Sequence, residues 1–360
     1  MEFRRTAVEH GCKLELLVDE RAVSRLYLFD LGMRVAGIPM RCGGIGGVHT
    51  ERDQRMHGYS RSVLQESLAV MRSEGYELSA LFGIPDYYHR FGFASALVEA
   101  ECTVWTRNAE LAQPRYAVRE FEPRDARPIA ELYEAHTAPR SGAIVRDPAT
   151  WKGIAKGAEW TDRVGTFVVE EGERLLGYAS YNLDARRFSL GEVGAADASV
   201  YGTLLAEAAR RAVAQRVERV VFCLPPDDPF GLYCRRYGAE FKLSYTRCAG
   251  GMVRIIDQSA VLHKVQPVLA LRLACSALAG WQGALRFETD LGTDTLAFGA
   301  GGPTLRVALS QGELTQLLLG YRPVADLLFE GAAQVDADAA PLLDALFPPG
   351  HPYVWMSDRF

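Results

Sequence analysis

Residues 40–93 read MRCGGIGGVHTERDQRMHGYSRSVLQESLAVMRSEGYELSALFGIPDYYHRFGF, and the hydrophobic period changes twice along them. MRCGGIGGV has the composition of a strand. From Ser60 to Glu74 the period becomes helical: Leu64, Leu68 and Met71 stand at i, i+4 and i+7, and Gly75 supplies a stop. ELSALFG, ending at Gly83, returns to a strand. Strand, helix and strand in this order make a βαβ unit with a parallel pair. The loop before the helix carries Arg55-Met56-His57-Gly58-Tyr59-Ser60, of the form R-x-x-G-x-S. A helix N-terminus offers unpaired N–H groups and partial positive charge, which suit a pyrophosphate. Gly58 lets the backbone approach closely, and Arg55 and His57 add positive charge.

Reading outward, CKLELLV and SRLYLFDLGMRV precede this unit as strands. After the break at AQPRY (112–116) a second block begins. YAVREFEPRDARPIAELYEAH predicts a strand and a helix, and DPATWKGIAKGA (147–158) predicts another helix. The strands TFVVEE, RLLGYASYN and RFSLGEVG follow, then a helix over 199–215 and the strand VERVVFCL. A third block from about Gly250 mixes strands (ALRFETD, TLAFGA, TLRVAL) with helices (GELTQLLLGY, APLLDALF). Its pattern is α+β, whereas the first two blocks are α/β. YYHRFGF (87–93) in the first block is echoed by YCRRYGA (233–239) in the second, each after a strand–helix–strand unit, which points to duplication. The second copy of the loop, GEVGAADASVYGT, has no arginine and carries Asp197, so one working copy and one scaffold copy are expected.

The chain has 360 residues, enough for two or three domains. We expect boundaries giving 1–112, 113–249 and 250–360. Acidic residues exceed basic ones and the net charge is −5, which argues against a nucleic-acid binder. Seven cysteines form no CxxC pair and are odd in number, so free buried thiols in a reducing cytoplasm are expected, with no metal site. VQPVLALRLACSALAGW, interrupted by Gln266, Pro267 and Arg272, reads as a buried helix and not as a membrane span. A soluble, cytoplasmic protein without a membrane partner is the expectation.

The order strand, RMHGYS, helix, strand, YYHRFGF resembles the GNAT acyltransferases, in which such a loop holds the pyrophosphate of acetyl-CoA. A degenerate second copy, followed by LLLGYRPVADLLFEG, LFPPGHP and a terminal DRF, resembles the Eis (enhanced intracellular survival) family over nearly the whole chain. That resemblance implies tandem GNAT domains, a third domain like sterol carrier proteins, acetyl-CoA as co-substrate, a small-molecule or lysine-type amine acceptor, and assembly into hexamers. It also implies that Tyr88 acts as general acid and the carboxylate ending the chain at Phe360 as general base. Val48, His49 and Thr50 then fall on the strand edge that pairs with the pantetheine. Arg55, Met56, His57, Gly58, Tyr59, Ser60 and Arg61 fall on the pyrophosphate loop, and Gly83 and Ile84 at the next strand's end. The family's usual lead of a strand and two helices before the first hairpin is replaced here by a short segment, so a wider acceptor cleft is expected.

The residue types suit the chemistry. An ammonium must lose a proton before it attacks a thioester, and a carboxylate beside it takes that proton. The departing thiolate needs one, and a tyrosine with pKa near 10 is protonated at neutral pH. Burial raises a terminal carboxyl's pKa, whereas a charged Arg359 beside it holds it ionised; both remain open from sequence. A phenylalanine that only plugs a hole would end the chain identically. The alternative to an enzyme is a carrier or scaffold binding an apolar ligand in its third domain.

Overall fold

The computed structural model describes residues 1–158, 163–183 and 187–360. The chain forms two compact units: residues 1–97, 246–352 and 360 make the first, and residues 98–245 and 353–359 the second. These limits differ from the sequence boundaries at 112 and 249, because hydrogen bonding assigns two strands that composition does not. Glu99–Trp105 pairs in the second unit's sheet and Gly250–Ile255 in the first unit's.

In the first unit, β1 (Glu2–Val8), β2 (Gly11–Val18), β3 (Arg21–Val35) and β4 (Ile38–Thr50) run as an antiparallel meander. The strand β1 was not foreseen, because its side chains are almost all exposed and give no burial alternation. Backbone pairing from Glu2↔Leu17 to Val8↔Gly11 holds it. The helix α1 (Tyr59–Ser73) crosses to β5 (Leu78–Gly83), which lies parallel to β4 as the βαβ reading expects. Gly250–Ile255 then inserts antiparallel between β5 and β6 (Ala94–Ser95). α1 buries Val63, Leu64, Leu68 and Met71 against the sheet, each worth roughly 1.5–3 kcal/mol relative to exposure. Gly43 makes that approach possible, since a Cβ there would stand 2.2 Å from Met71 Sδ.

The rest of the first unit is a four-stranded sheet ordered Gly292–Phe298, Gly283–Thr289, Thr304–Leu309, Ala333–Val335, with helices at Gln258–Ala274, Gln311–Leu319, Val324–Phe329 and Ala339–Leu346. The apolar stretch after Val265 is helical only to Ala274, and it is not buried all round: Val265, Leu269 and Leu273 face inward while Leu271 is exposed. Among the described residues no helix is long and apolar enough to cross a membrane.

The second unit's seven-stranded sheet contains a strand–helix–strand unit of its own, Ser189–Ala195, Tyr201–Ala214 and Arg219–Phe222, with parallel pairing at Ser189↔Val221 and Leu190↔Phe222. The helix expected over 147–158 does not form. Residues 148–150 make a turn and 151–157 have no regular structure. Gly153 at φ +123° breaks any helical run, and Trp151 turns its ring toward the Arg146 guanidinium, 4.7 Å away. The echoed motifs share a local fold. Tyr88–Phe91 and Arg235–Tyr237 are each one turn of 3₁₀ helix, closed by Gly92 and Gly238 at φ +76° and +78°. All seven cysteines are free; five are buried as expected, but Cys248 is half-buried and Cys275 is exposed.

Candidate active site

β4 and β5 pair only from Cys42↔Leu78 to Ile45↔Leu81, although β4 continues to Thr50 and β5 to Gly83. The cause lies on the other side of β4. Between the pairs Tyr27↔Gly46 and Arg25↔His49, both Gly47 and Val48 face the single residue Leu26, a bulge opened by Gly47 at φ +57°. A bulge bends its strand and increases its twist. The strands therefore part beyond Ile45, leaving the β5-side edge of Gly46–Thr50 unpaired with β5. Val48, His49 and Thr50 lie on that edge, with Thr50 Oγ1 2.9 Å from Ser24 Oγ. Gly83 ends the opposite strand, and Ile84 follows it, exposed.

The loop from Arg55 to Arg61 joins this diverging edge to α1. Arg21 holds Asp53 at 2.7 Å, Arg55 Nε reaches the Thr50 carbonyl at 3.5 Å, and the His57 ring stacks on Tyr59 with centroids 5.5 Å apart. Met56 and Gly58 both have positive φ, and no side chain caps the α1 N-terminus. The corresponding stretch in the second unit differs: Asp197 is the N-cap of the 3₁₀ turn Ala198–Val200 that leads into the helix Tyr201–Ala214, and its carboxylate accepts from the Ser199 N–H; hydrogen bonding from the Ser199 side chain, and then from its backbone N–H, holds the carboxyl below the usual range. The start of α1 has no side-chain cap, whereas the 3₁₀ turn that leads into the second unit's helix is capped by Asp197.

Side chains alternate across a strand, so consecutive residues of β5 serve opposite faces of the opening. A Cβ on Gly83 would meet the Tyr88 ring at 2.5 Å, and Tyr88 belongs to the core packed beneath α1. Phe82 points the other way and meets the Phe360 ring edge-on, centroids 5.7 Å apart. Phe29 packs on the same ring at 6.1 Å. Cβ atoms on Gly44 and Gly46 would stand 2.8 Å from that ring and 3.1 Å from the Phe360 carboxyl carbon. These two glycines are the floor on which the chain's last residue lies. Tyr88 and Phe360 thus flank the parting of β4 and β5 from opposite faces. Tyr88 is buried, and its hydroxyl makes no hydrogen bond among the described residues. Burial, with a smaller push from Tyr87, raises its phenol above the ordinary value near 10. Arg359 directs Nη2 to Glu99 Oε2 at 2.6 Å.

Sequence reasoning missed Tyr87, whose hydroxyl lies 2.6 Å from Ser60 Oγ and so ties the YYHRFGF turn to the first turn of α1. It also missed the seat of Phe360. The spacing of Gly44 and Gly46 on one face was the available signal, but nothing local says what fills the space above them. Among the described residues one group of metal-ligand types gathers: Asp86, His89 and Cys248, with one potential ligand atom each within 4.8 Å of the others.

Residues 1–96 match the acetyltransferase (GNAT) domain family. No curated protein matches the chain. Among solved structures it is similar to a GCN5-related N-acetyltransferase from Kribbella flavida, at 20% identity and TM-score 0.73 over 97% of this chain and 87% of that one. It is also similar to a conserved protein of unknown function, a probable N-acyltransferase, from Enterococcus faecalis V583, at 20% identity and TM-score 0.75 over 98% and 90%. Eis1 from Mycobacterium abscessus superposes with TM-score 0.67 at 15% identity over 97% and 90%. At these identities the likeness is one of fold.

Proposed function

We propose that this chain, an acyltransferase enzyme carrying a GNAT acetyltransferase domain at residues 1–96, moves an acetyl group from acetyl-CoA to a primary amine by direct attack. The amine nitrogen forms the new bond to the acyl carbon and the carbon–sulfur bond breaks. The Phe360 carboxylate takes the proton leaving nitrogen, and the Tyr88 hydroxyl delivers a proton to the thiolate. Val48–Thr50 and Gly83–Ile84 would border the pantetheine. Residues 55–61 would hold the pyrophosphate on the uncapped start of α1. The observation that carries this reading is the seat of Phe360 on Gly44 and Gly46, at the place where β4 and β5 part.

The positions of acid and base on opposite faces of β5 support it further. The amine adds to one face of the planar thioester and the thiolate then leaves from the tetrahedral carbon, so nitrogen and sulfur are separate corners of that carbon that separate groups can serve. In this reading residues 250–360 are a sterol-carrier-like segment whose end supplies the base, and residues 113–249 a degenerate GNAT copy in which Asp197 caps the turn leading into its helix. The net charge of −5 favours a cationic acceptor. The test is thiol release from acetyl-CoA by the intact chain with aminoglycosides, polyamines and lysine peptides, against a control without amine. Acceptor-dependent release is expected. Silence across the panel together with no binding of acetyl-CoA would overturn the reading.

A further inference from the structure

Three side chains of the first unit meet where neither the packing nor the proposed acetyl transfer has a use for them. Asp86 lies just before the 3₁₀ turn Tyr88–Phe91, and His89 lies within it. Cys248, far along the chain, lies just before the strand Gly250–Ile255 that inserts between β5 and β6. All three belong to the first compact unit. A carboxylate oxygen of Asp86, a ring nitrogen of His89 and Cys248 Sγ stand within 4.8 Å of one another. None of these side chains has another hydrogen-bond or ion-pair partner among the described residues.

The backbone, and not the three side chains, makes them meet. The Asp86 N–H donates to the Cys248 carbonyl at 3.1 Å. The Ala249 N–H donates to Ser95 Oγ at 3.2 Å, and that hydroxyl donates back to the Ala249 carbonyl at 3.0 Å. On the other side the Gly92 N–H closes the 3₁₀ turn on the His89 carbonyl at 3.0 Å. Asp86 and Cys248 both hold a left-handed backbone, at φ +57° and +48°, which is uncommon for any residue with a side chain and more so for cysteine than for aspartate. Each of these two bends delivers its side chain to the same cluster. Donors gathered before a ligand arrives lose little freedom on binding it.

The donor set selects the ligand. Mg²⁺ and Ca²⁺ take oxygen ligands in larger number, and a sulfur donor disfavours both. Zn²⁺ accepts thiolate, imidazole and carboxylate alike, and three protein ligands leave its fourth tetrahedral position to water. Ligands bonded at about 2.0–2.3 Å to one tetrahedral ion stand roughly 3.3–3.8 Å apart, so the three atoms need draw in by only about an ångström. Asp86 and His89 are exposed and Cys248 is half-buried, and rotation about their side-chain bonds supplies that movement. His89 and Cys248 also line a cavity of about 590 Å³, which gives an ion its path in. We propose that Asp86, His89 and Cys248 form a binding site for one Zn²⁺-class transition-metal ion, with water in the fourth position. The thiol proton of Cys248 passes to solvent as the metal–sulfur bond forms. Nothing in this site requires the acetyl-transfer reading to hold.

Co²⁺ is the probe, because it takes the tetrahedral ligands of zinc and its absorption reports thiolate ligation and coordination number. Titration of the reduced, untagged full chain is expected to give a thiolate-to-cobalt charge-transfer band and tetrahedral d–d bands that saturate at one ion per chain, and Zn²⁺ should then bleach them. Cys248→Ser is expected to abolish the charge-transfer band. His89→Ala and Asp86→Asn are each expected to weaken Co²⁺ binding about a hundredfold or more, since groups that only support metal ligands are already worth about 10–100-fold. Asparagine keeps aspartate's tolerance of the left-handed backbone. Cys275, the exposed cysteine, supplies the control: Cys275→Ser should leave every band in place. If Cys248→Ser does not fold, the two variants at exposed positions decide. No charge-transfer band in the intact chain, a band lost in Cys275→Ser but kept in Cys248→Ser, or unchanged affinity in either His89→Ala or Asp86→Asn overturns the proposal.

Discussion

Deletion of Phe360 is expected to lower acetylation turnover by about 10²–10⁴-fold, the range typical of one positioned proton-transfer group, with the fold and acetyl-CoA binding retained. The shortened chain still ends in a carboxylate, but withdrawn by one residue, about 3.8 Å, and no longer seated on Gly46. A second form separates charge from packing. One glycine added after Phe360 turns the carboxylate into an amide and leaves the ring free to rest between Phe29 and Phe82. If the phenylalanine were only a plug, this extended chain would keep full activity while the deletion lost stability. If the carboxylate is the base, both forms lose turnover and both melt near the intact chain. Those two aromatic contacts are worth about 0.5–1.5 kcal/mol each beyond area burial, so the deletion costs little of a chain of this size. Turnover by single-turnover kinetics and melting temperature on the same preparations decide the matter.

Tyr88→Phe is expected to cost about 10²–10⁴-fold in kcat with almost no change in stability. The ring keeps its packing on Gly83, Tyr87 and Phe93, and the lost hydroxyl has no hydrogen bond among the described residues to leave behind. The pH profile carries a sign. Burial raises the Tyr88 pKa, so the proton-bearing form persists as pH rises past the ordinary value near 10. The alkaline limb that Tyr88 imposes on kcat therefore lies above pH 10. Tyr87→Phe, which breaks the bond to Ser60, serves as a control and should leave that limb in place. A limb below pH 9 in the intact enzyme, or full activity in Tyr88→Phe, would remove Tyr88 from the role of acid.

Much of the first unit was legible because its elements bury one face and expose the other. Leu64, Leu68 and Met71 announce α1, and the meander from β2 to β4 announces itself by its turns. Part of the second unit's sheet was readable for the same reason, but Glu99–Trp105 and Glu240–Ser244 were not. Where that contrast fails, the reading fails. β1 is exposed along nearly its whole length, so only its backbone bonds define it. The stretch 147–158 has alanines and lysines at helical intervals, yet Gly153 and the stacking of Trp151 on Arg146 keep it irregular. The limits of the compact units also escaped, because Glu99–Trp105 and Gly250–Ile255 choose their partners by ladder hydrogen bonds over long sequence separation.

For the proposed site, the loop from Arg55 to Arg61 and its difference from the stretch around Asp197 were legible in residue types within a few positions, whereas Tyr88 was singled out by the resemblance of YYHRFGF to a known family. Tertiary structure alone decided that β4 and β5 part after Ile45 and that Tyr88 and Phe360 flank the opening from opposite faces. These are meetings of residues scores to hundreds of positions apart. Their geometry comes from strand twist, bulge and packing, which no local pattern encodes.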